Sequence, residues 1–448
     1  MPSHGRLNIF QRLVRQWDAI HPYNAAQVIK LAGRANLPAV RVAWHEAMAT
    51  LGLGRAHVRR DTFHFEHLNG QMPRDIVRHV TGETLDAFLS GELNLRFDDR
   101  DVCPFRPFVL DDGGDHYVGL IYHHWVADSV SIRELLRQWF LRWHDPERVR
   151  REPLKLSRDG YWALFGPRIG RWRLGGELLN GVRWTRRIRR VRRMSADHAG
   201  EFAQAVTLRR FDDGLVDCLR DVCRTANVTL HDLLLAAAAE ACDRHLPLHR
   251  HRERHDLAMG TIVDLRPSAR ADLSDTFGMF LGFTTTLCRP DELLDWPRLL
   301  ATVASQGKSH KHSAQPQASF LRMAAALAAG RFMSRERTIN FYRKRAPFAG
   351  GTSNVNVTDT WAAEYHPAPL LEYVRVSPTG PMMPLVFSTT TLARKLNLCL
   401  TRRSAIVSEA LAGQVLDTMF ERLNRIAQTG DAFGGTSESS QATVRPAV

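Results

Sequence analysis

The chain has 448 residues, 44% hydrophobic and 24% charged, which supplies core enough for two domains or two lobes and excludes extended disorder. Its net charge of +14 suits an anionic partner, and ten arginines against one acid, Glu177, place +9 of that charge in the single segment 167–194. The six cysteines show no paired spacing and read as reduced thiols, and neither a signal peptide nor a run of about eighteen apolar residues occurs, so a cytoplasmic location is expected.

In chain order, AAQVIKLAG reads as a strand, followed by a helix from near Asn36 and Pro38. FVLDD and HYVGLIYHH are further strands, the second alternating Val118, Leu120 and Tyr122 against Tyr117, Ile121 and His123, so that His124 falls at a strand end. Ile132, Leu135, Leu136, Trp139, Phe140 and Trp143 then predict an amphipathic helix, with Ser131 and Glu134 spaced as a capping box. After the arginine segment, VTLHDLLLAAAAEACDRH predicts a helix capped by Thr229 and Asp232. A strand ending in GTIVDLRP, a helix near LRMAAALAAG, a loop over FAGGTSNVNVTDTW, two strands over PLVFSTTTL and LNLCLTRR, and a helix carrying Val415, Leu416, Met419, Phe420 and Leu423 complete the pattern. The order predicts a mixed α/β protein. The polar stretch after Thr429 is expected to be disordered.

His123 and His124 are the first candidates for chemistry. A neutral imidazole can take a proton from a hydroxyl or amine near neutral pH, and Asp128, four residues beyond His124, can fix the turn or bind a distant arginine. Neither G-x-S-x-G nor H-E-x-x-H occurs, and there is no P-loop. His245, His249, His251 and His255 read as a solvated loop, so no metal site is expected.

The run HHWVADS, from His123 to Ser129, resembles the H-H-x-x-x-D-G motif of the CoA-dependent acyltransferase superfamily. That superfamily includes chloramphenicol acetyltransferase, wax ester synthases, polyketide-associated acyltransferases and nonribosomal peptide condensation domains. LAGRANLPAVRVAWHEAMATL, PFRPFVLDDGGDHYVGLIYHH, VTLHDLLLAAAAEA, TIVDLRP and GTSNVNV are similar to further family segments, in order, over about residues 25 to 427.

The resemblance implies mixed α/β sheets in two chloramphenicol-acetyltransferase-like lobes with the active-site tunnel between them. The lobes would span 1–166 and 195–428, joined by an arginine-rich connector at 167–194 and followed by the tail 429–448. It implies an acyltransferase that moves an acyl group from acyl-CoA or an acyl carrier protein to a hydroxyl or amine of a small-molecule acceptor. His124 would be the general base and Asp128 a structural anchor paired with Arg266; His123 takes no assigned role. Ser353, Asn354 and Ser129 are candidate oxyanion or substrate contacts, and no permanently bound cofactor or metal is implied. Ser129 departs from the family pattern, which has glycine there, and so an inactive member serving as a binding or adaptor protein stands as one alternative. A freestanding condensation enzyme forming an amide is the other. Segment 167–194, where Trp172, Leu178 and Trp184 interleave with arginines, admits a charged connector, peripheral contact with an anionic membrane, or docking of a carrier protein or CoA; no nucleic-acid-binding module is recognisable.

Overall fold

The structure, a computed structural model, describes residues 4–66, 73, 75–97, 103–169, 186–194, 201–249, 253–313, 315–330, 332–345, 348–365 and 370–433. Two large mixed sheets organise it. The first has five strands in the order Leu370–Val376, Asn24–Leu31, Asp115–His123, Phe105–Asp112 and Arg78–Val80, antiparallel except for its last pair. The second has six, in the order Gln204–Arg210, Lys395–Arg403, Leu385–Leu392, Gly350–Asn356, Leu257–Asp264 and Leu281–Cys288.

The first sheet is apolar on both faces because helices cover both. On one face the helix Ser129–His144 lays Ile132, Leu135, Leu136, Trp139 and Phe140 against Ile29, Val118 and Leu120. Each such side chain contributes about 1.5–3 kcal/mol by leaving water. Trp139 adds a hydrogen bond from its indole N–H to the Val40 carbonyl at 2.9 Å, tying this helix to the helix Leu37–Leu51. On the other face the helix Leu85–Asn94 packs Phe88, Leu89 and Leu93 against Val28, Phe108 and Ile121.

The two halves of the sequence are laced together. Leu370–Val376 leaves the second half to pair with Asn24–Leu31, so sheet membership does not follow the sequence boundary at 167–194. In return, Asp86, Ser90 and Asn94, one helical turn apart, accept hydrogen bonds from the backbone N–H groups of Leu208, Val206 and Gln204 at 2.8, 2.9 and 2.8 Å. These side chains satisfy the open edge of the second sheet, which otherwise presents unpaired donors. That sheet is covered by the helices Leu230–His245, Trp296–His312 and Glu409–Thr429, whose alanines and leucines form a separate core.

Three sequence expectations need correction. Helix Ser129–His144 is capped by Asp128, whose Oδ1 accepts from the N–H groups of Val130 and Ser131 at 3.1 Å, and not by the Ser131–Glu134 pair. Ser131 is instead occupied by Gly278 and Arg266, and Glu134 by Gln138. GGTSNVN is a strand, not a loop: a Cβ on Gly351 would lie 2.4 Å from the Met383 sulfur, so glycine serves close packing there, not a turn. Past Thr429, Gly430 caps the last helix in the left-handed conformation, and Ala432 is buried with its carbonyl accepting from the Trp296 indole at 2.8 Å. Residues 434–448 lie outside the described residues. The Thr229–Asp232 capping box is present.

Candidate active site

The motif strand Asp115–His123 ends in a turn that sends successive imidazoles to different environments. The His123 N–H donates to the Pro104 carbonyl at 3.0 Å, and the His124 N–H to the Tyr23 carbonyl at 3.1 Å. The His123 ring stacks on Phe97 at 5.4 Å, and its Nδ1 accepts from the Trp125 indole N–H at 3.1 Å. The proton therefore sits on Nε2, 3.1 Å from Asp18 Oδ1. Burial would raise the Asp18 carboxyl, but His123, the Tyr23 N–H and Arg96 together hold it below its usual value.

His124 Nδ1 lies 3.1 Å from the Ala127 carbonyl, which can only accept, so Nδ1 carries the proton and the lone pair is on Nε2. Nε2 has no protein partner among the described residues. Tyr23 stacks nearly parallel on the ring at 5.6 Å, and Tyr122 meets it edge-on at 5.4 Å. Desolvation by these aromatic walls pushes the imidazole pKa below 6.5; the Ala127 carbonyl and Asp128 oppose the shift and Arg375 adds to it. The ring is thus neutral at physiological pH. Beside Tyr23, a crevice opens between Trp17 and Ile20 on one side and Phe202, Thr379 and Pro381 on the other.

Asp128 does not touch His124. It is fully buried, with Oδ2 accepting from Arg266 Nη1 at 2.6 Å and from the Phe280 N–H at 2.9 Å, and Oδ1 from Arg266 Nη2 at 3.0 Å. The Asp128 N–H donates to the Gly278 carbonyl at 3.0 Å. Arg266 also reaches Ser131, stacks over Phe280 at 4.8 Å, and approaches Asp264 at 3.3 Å. Two residues from opposite halves of the sequence thus fix the turn that holds His124.

Ser129 is the first helical residue and has no positive φ, so the glycine that the motif would place here is not needed for backbone reasons. Its hydroxyl accepts from Gln27 Nε2 at 3.1 Å and from Arg375 Nε at 2.9 Å. Gln27 also donates to the Ser129 carbonyl at 2.9 Å and accepts from the Tyr373 hydroxyl. Arg375 continues to Ser353, whose hydroxyl accepts from Nη2 at 2.7 Å. Ser129 and Ser353 are therefore brought together through one guanidinium. Asn354, the next residue on that strand, projects to the opposite face of the sheet. Sequence reasoning missed Gln27, Tyr373 and Arg375; the available signal was a lone arginine inside the apolar strand pattern LLEYVRV.

Of the arginine segment, 170–185 lies outside the described residues, and with it most of the amphipathic pattern. Its far end is structural: Ile188 and Val191 are buried, Arg192 pairs with Asp243, and Arg193–Met194 pairs with Leu248–His249. Among the described residues no helix is long and apolar enough to cross a membrane, and His245 is engaged by Thr418 at 2.7 Å.

Scanned against models of protein families, the chain matches none. Solved structures do match. The Fusarium sporotrichioides trichothecene 15-O-acetyltransferase TRI3 superposes with a TM-score of 0.65 at 11% identity, covering 93% of this chain and 95% of that one. The condensation domain of the monacolin K polyketide synthase MokA gives 0.60 at 13% identity, over 96% and 98% of the two chains. The epimerization domain of tyrocidine synthetase module TycB3 gives 0.60 at 13%, over 97% and 98%. The chain has the two-lobed condensation-domain fold. In sequence, it is 26% identical over 248 residues to the probable non-canonical nonribosomal peptide synthetase CymA of Salinispora arenicola (strain CNS-205), a match covering 50% of this chain and 3% of that protein.

Proposed function

We propose that this chain catalyses acyl transfer from an acyl thioester to a hydroxyl or amine, with His124 as general base. The observation that carries the reading is the tautomer of His124: its Nδ1–H is held by the Ala127 carbonyl, so a neutral, desolvated Nε2 is left to accept a proton. The shared fold with an acetyltransferase and a condensation domain supports it. In the reaction, Nε2 takes the acceptor's O–H or N–H proton as that atom bonds to the thioester carbonyl carbon. The tetrahedral intermediate then collapses, the C–S bond breaks, and the departing thiolate takes the proton back. Asp128 and Arg266 hold the turn and exchange no proton.

The test is thiol release from a panel of acyl-CoA and acylated carrier-protein donors with hydroxyl and amine acceptors, comparing wild type with His124→Ala. General-base loss should cut acceptor-dependent turnover by about 10²–10⁴. Equal turnover in the two proteins would remove His124 from the mechanism. The CymA match favours a carrier-bound donor as the second reading, and release from the acylated carrier but not from acyl-CoA would select it.

A further inference from the structure

We propose that Arg375, together with the hydroxyls of Ser129 and Ser353, forms a receptor for a carboxylate carried by the acyl acceptor. The proposal rests on the acyl-transfer reading of the same site and adds the class of acceptor.

The first observation is a buried cation without a counter-ion. Arg375 lies on the strand that the second half lends to the first sheet and is only 4% exposed. Its three hydrogen bonds go to neutral oxygens: Ser129 Oγ at 2.9 Å, Ser353 Oγ at 2.7 Å and the Thr389 carbonyl at 3.3 Å. Arg266, Arg106, Arg192 and Arg422 pair with Asp128, Glu92, Asp243 and Glu240, while the buried Arg142, Arg402 and Arg403 donate to backbone carbonyls; what sets Arg375 apart is that two of its donors end on partly exposed serine hydroxyls. Arg375 forms no ion pair among the described residues. Desolvation brings its pKa down to about 10, which leaves it charged at neutral pH, and Arg133 adds a second positive charge to its surroundings. A buried charge without a counter-ion is costly, and here an anion can approach it from the side of the two partly exposed serines.

The second observation concerns the serine protons. The Ser129 oxygen accepts two hydrogen bonds, from Gln27 and Arg375, so both its lone pairs are used and its own O–H must donate elsewhere. No acceptor for it is present among the described residues, nor for the Ser353 proton. Both serines are partly exposed while the guanidinium behind them is buried. Two donor hydroxyls in front of one cation match the two oxygens and single charge of a carboxylate. The site adjoins the proposed base, since Ser129 follows Asp128 directly and Arg375 acts electrostatically on His124. The receptor is assigned to the acceptor because its proton is the one that His124 would remove beside this site.

The test is ligand-observed NMR binding of short hydroxy- and amino-carboxylic acids against their carboxamides, which needs no turnover. Wild type should bind the acids at least about tenfold more tightly, the scale of one charge-assisted hydrogen bond. Ser353→Ala should erode that preference and Arg375→Gln abolish it, while His124→Ala should retain it. Should Arg375→Gln fail to fold, the Ser353→Ala comparison stands alone. Absence of preference in wild type, or a preference undiminished in the folded variants, overturns the receptor whatever becomes of catalysis. Retained binding with no thioester turnover would instead overturn the acyl-transfer reading. If the three groups stabilise the reaction's oxyanion instead, kcat falls equally for acid and amide acceptors and binding is unchanged, which also overturns the proposal.

Discussion

Asp128 and Arg266, 138 residues apart in sequence, meet through two N–H···O bonds of 2.6 and 3.0 Å in a setting that hides the carboxylate completely. Removing either partner strands a buried charge. Arg266→Ala and Asp128→Ala should each lower stability by about 3–5 kcal/mol, read as a shift in the urea midpoint. The double variant should lose less than the sum of the two, because neither charge is then left alone. A loss under about 1 kcal/mol in both single variants would show the pair to be dispensable.

With His124 as the proposed base, its depressed pKa should set the acid limit of activity. Above that pKa the ring is the neutral base; below it the ring is protonated and idle. The acid limb of kcat/KM should therefore have its midpoint under pH 6.5. The same shift acts on stability. Unfolded His124 takes its proton near 6.5 and the folded ring only at lower pH, so the unfolded state binds more protons in that window and stability falls as the pH is lowered through it. An acid limb centred above 6.5 would contradict this assignment.

Restoring the motif's glycine should not improve the protein. Ser129→Gly removes the hydroxyl that Gln27 and Arg375 share and leaves a buried guanidinium nitrogen unsatisfied. Thermal or urea unfolding should report a loss of about 1–3 kcal/mol. A gain in stability would mean that the serine is tolerated, not used.

Gly119 occupies the middle of the motif strand, where the Phe108 ring crosses it. A Cβ there would lie 2.3 Å from Phe108 Cζ and 3.0 Å from Val28 Cγ2. Gly119→Ala should cost about 1–3 kcal/mol by overpacking, with Phe108→Leu in the same chain recovering part of it. Unchanged stability in the single variant would show that the ring can move away freely.

Much of this architecture is legible in the sequence, for local reasons. The helix after the motif announces itself because Ile132 to Phe140 repeat at helical spacing, and the strand before it because its residues alternate. The histidine–aspartate spacing marks the turn between this strand and this helix, where His124 and Asp128 stand. What the sequence hides is whatever depends on distant partners. Ser131 and Glu134 have the letters of a capping box, but tertiary contacts to Gly278 and Arg266 claim the serine. GGTSN has the composition of a loop, because glycine, serine and asparagine favour turns; only the proximity of Met383 and Met259 shows that small residues are needed in a strand. Arg375 reaches a serine 246 positions away, and no local pattern encodes that meeting.

The exchanged strand Leu370–Val376 also governs how this protein can be taken apart. Fragments divided near 167–194 would each be incomplete: the first would carry an open sheet edge along Asn24–Leu31, the second an orphaned β-segment and an edge at Gln204–Arg210 stripped of its helical cover. Such pieces are prone to aggregate when expressed alone and able to recombine when expressed together. A split-protein reporter cut there would be drawn together by its own unpaired hydrogen-bonding edges, and reassembly would rebuild the contact of Arg375 with Ser129 in the same event.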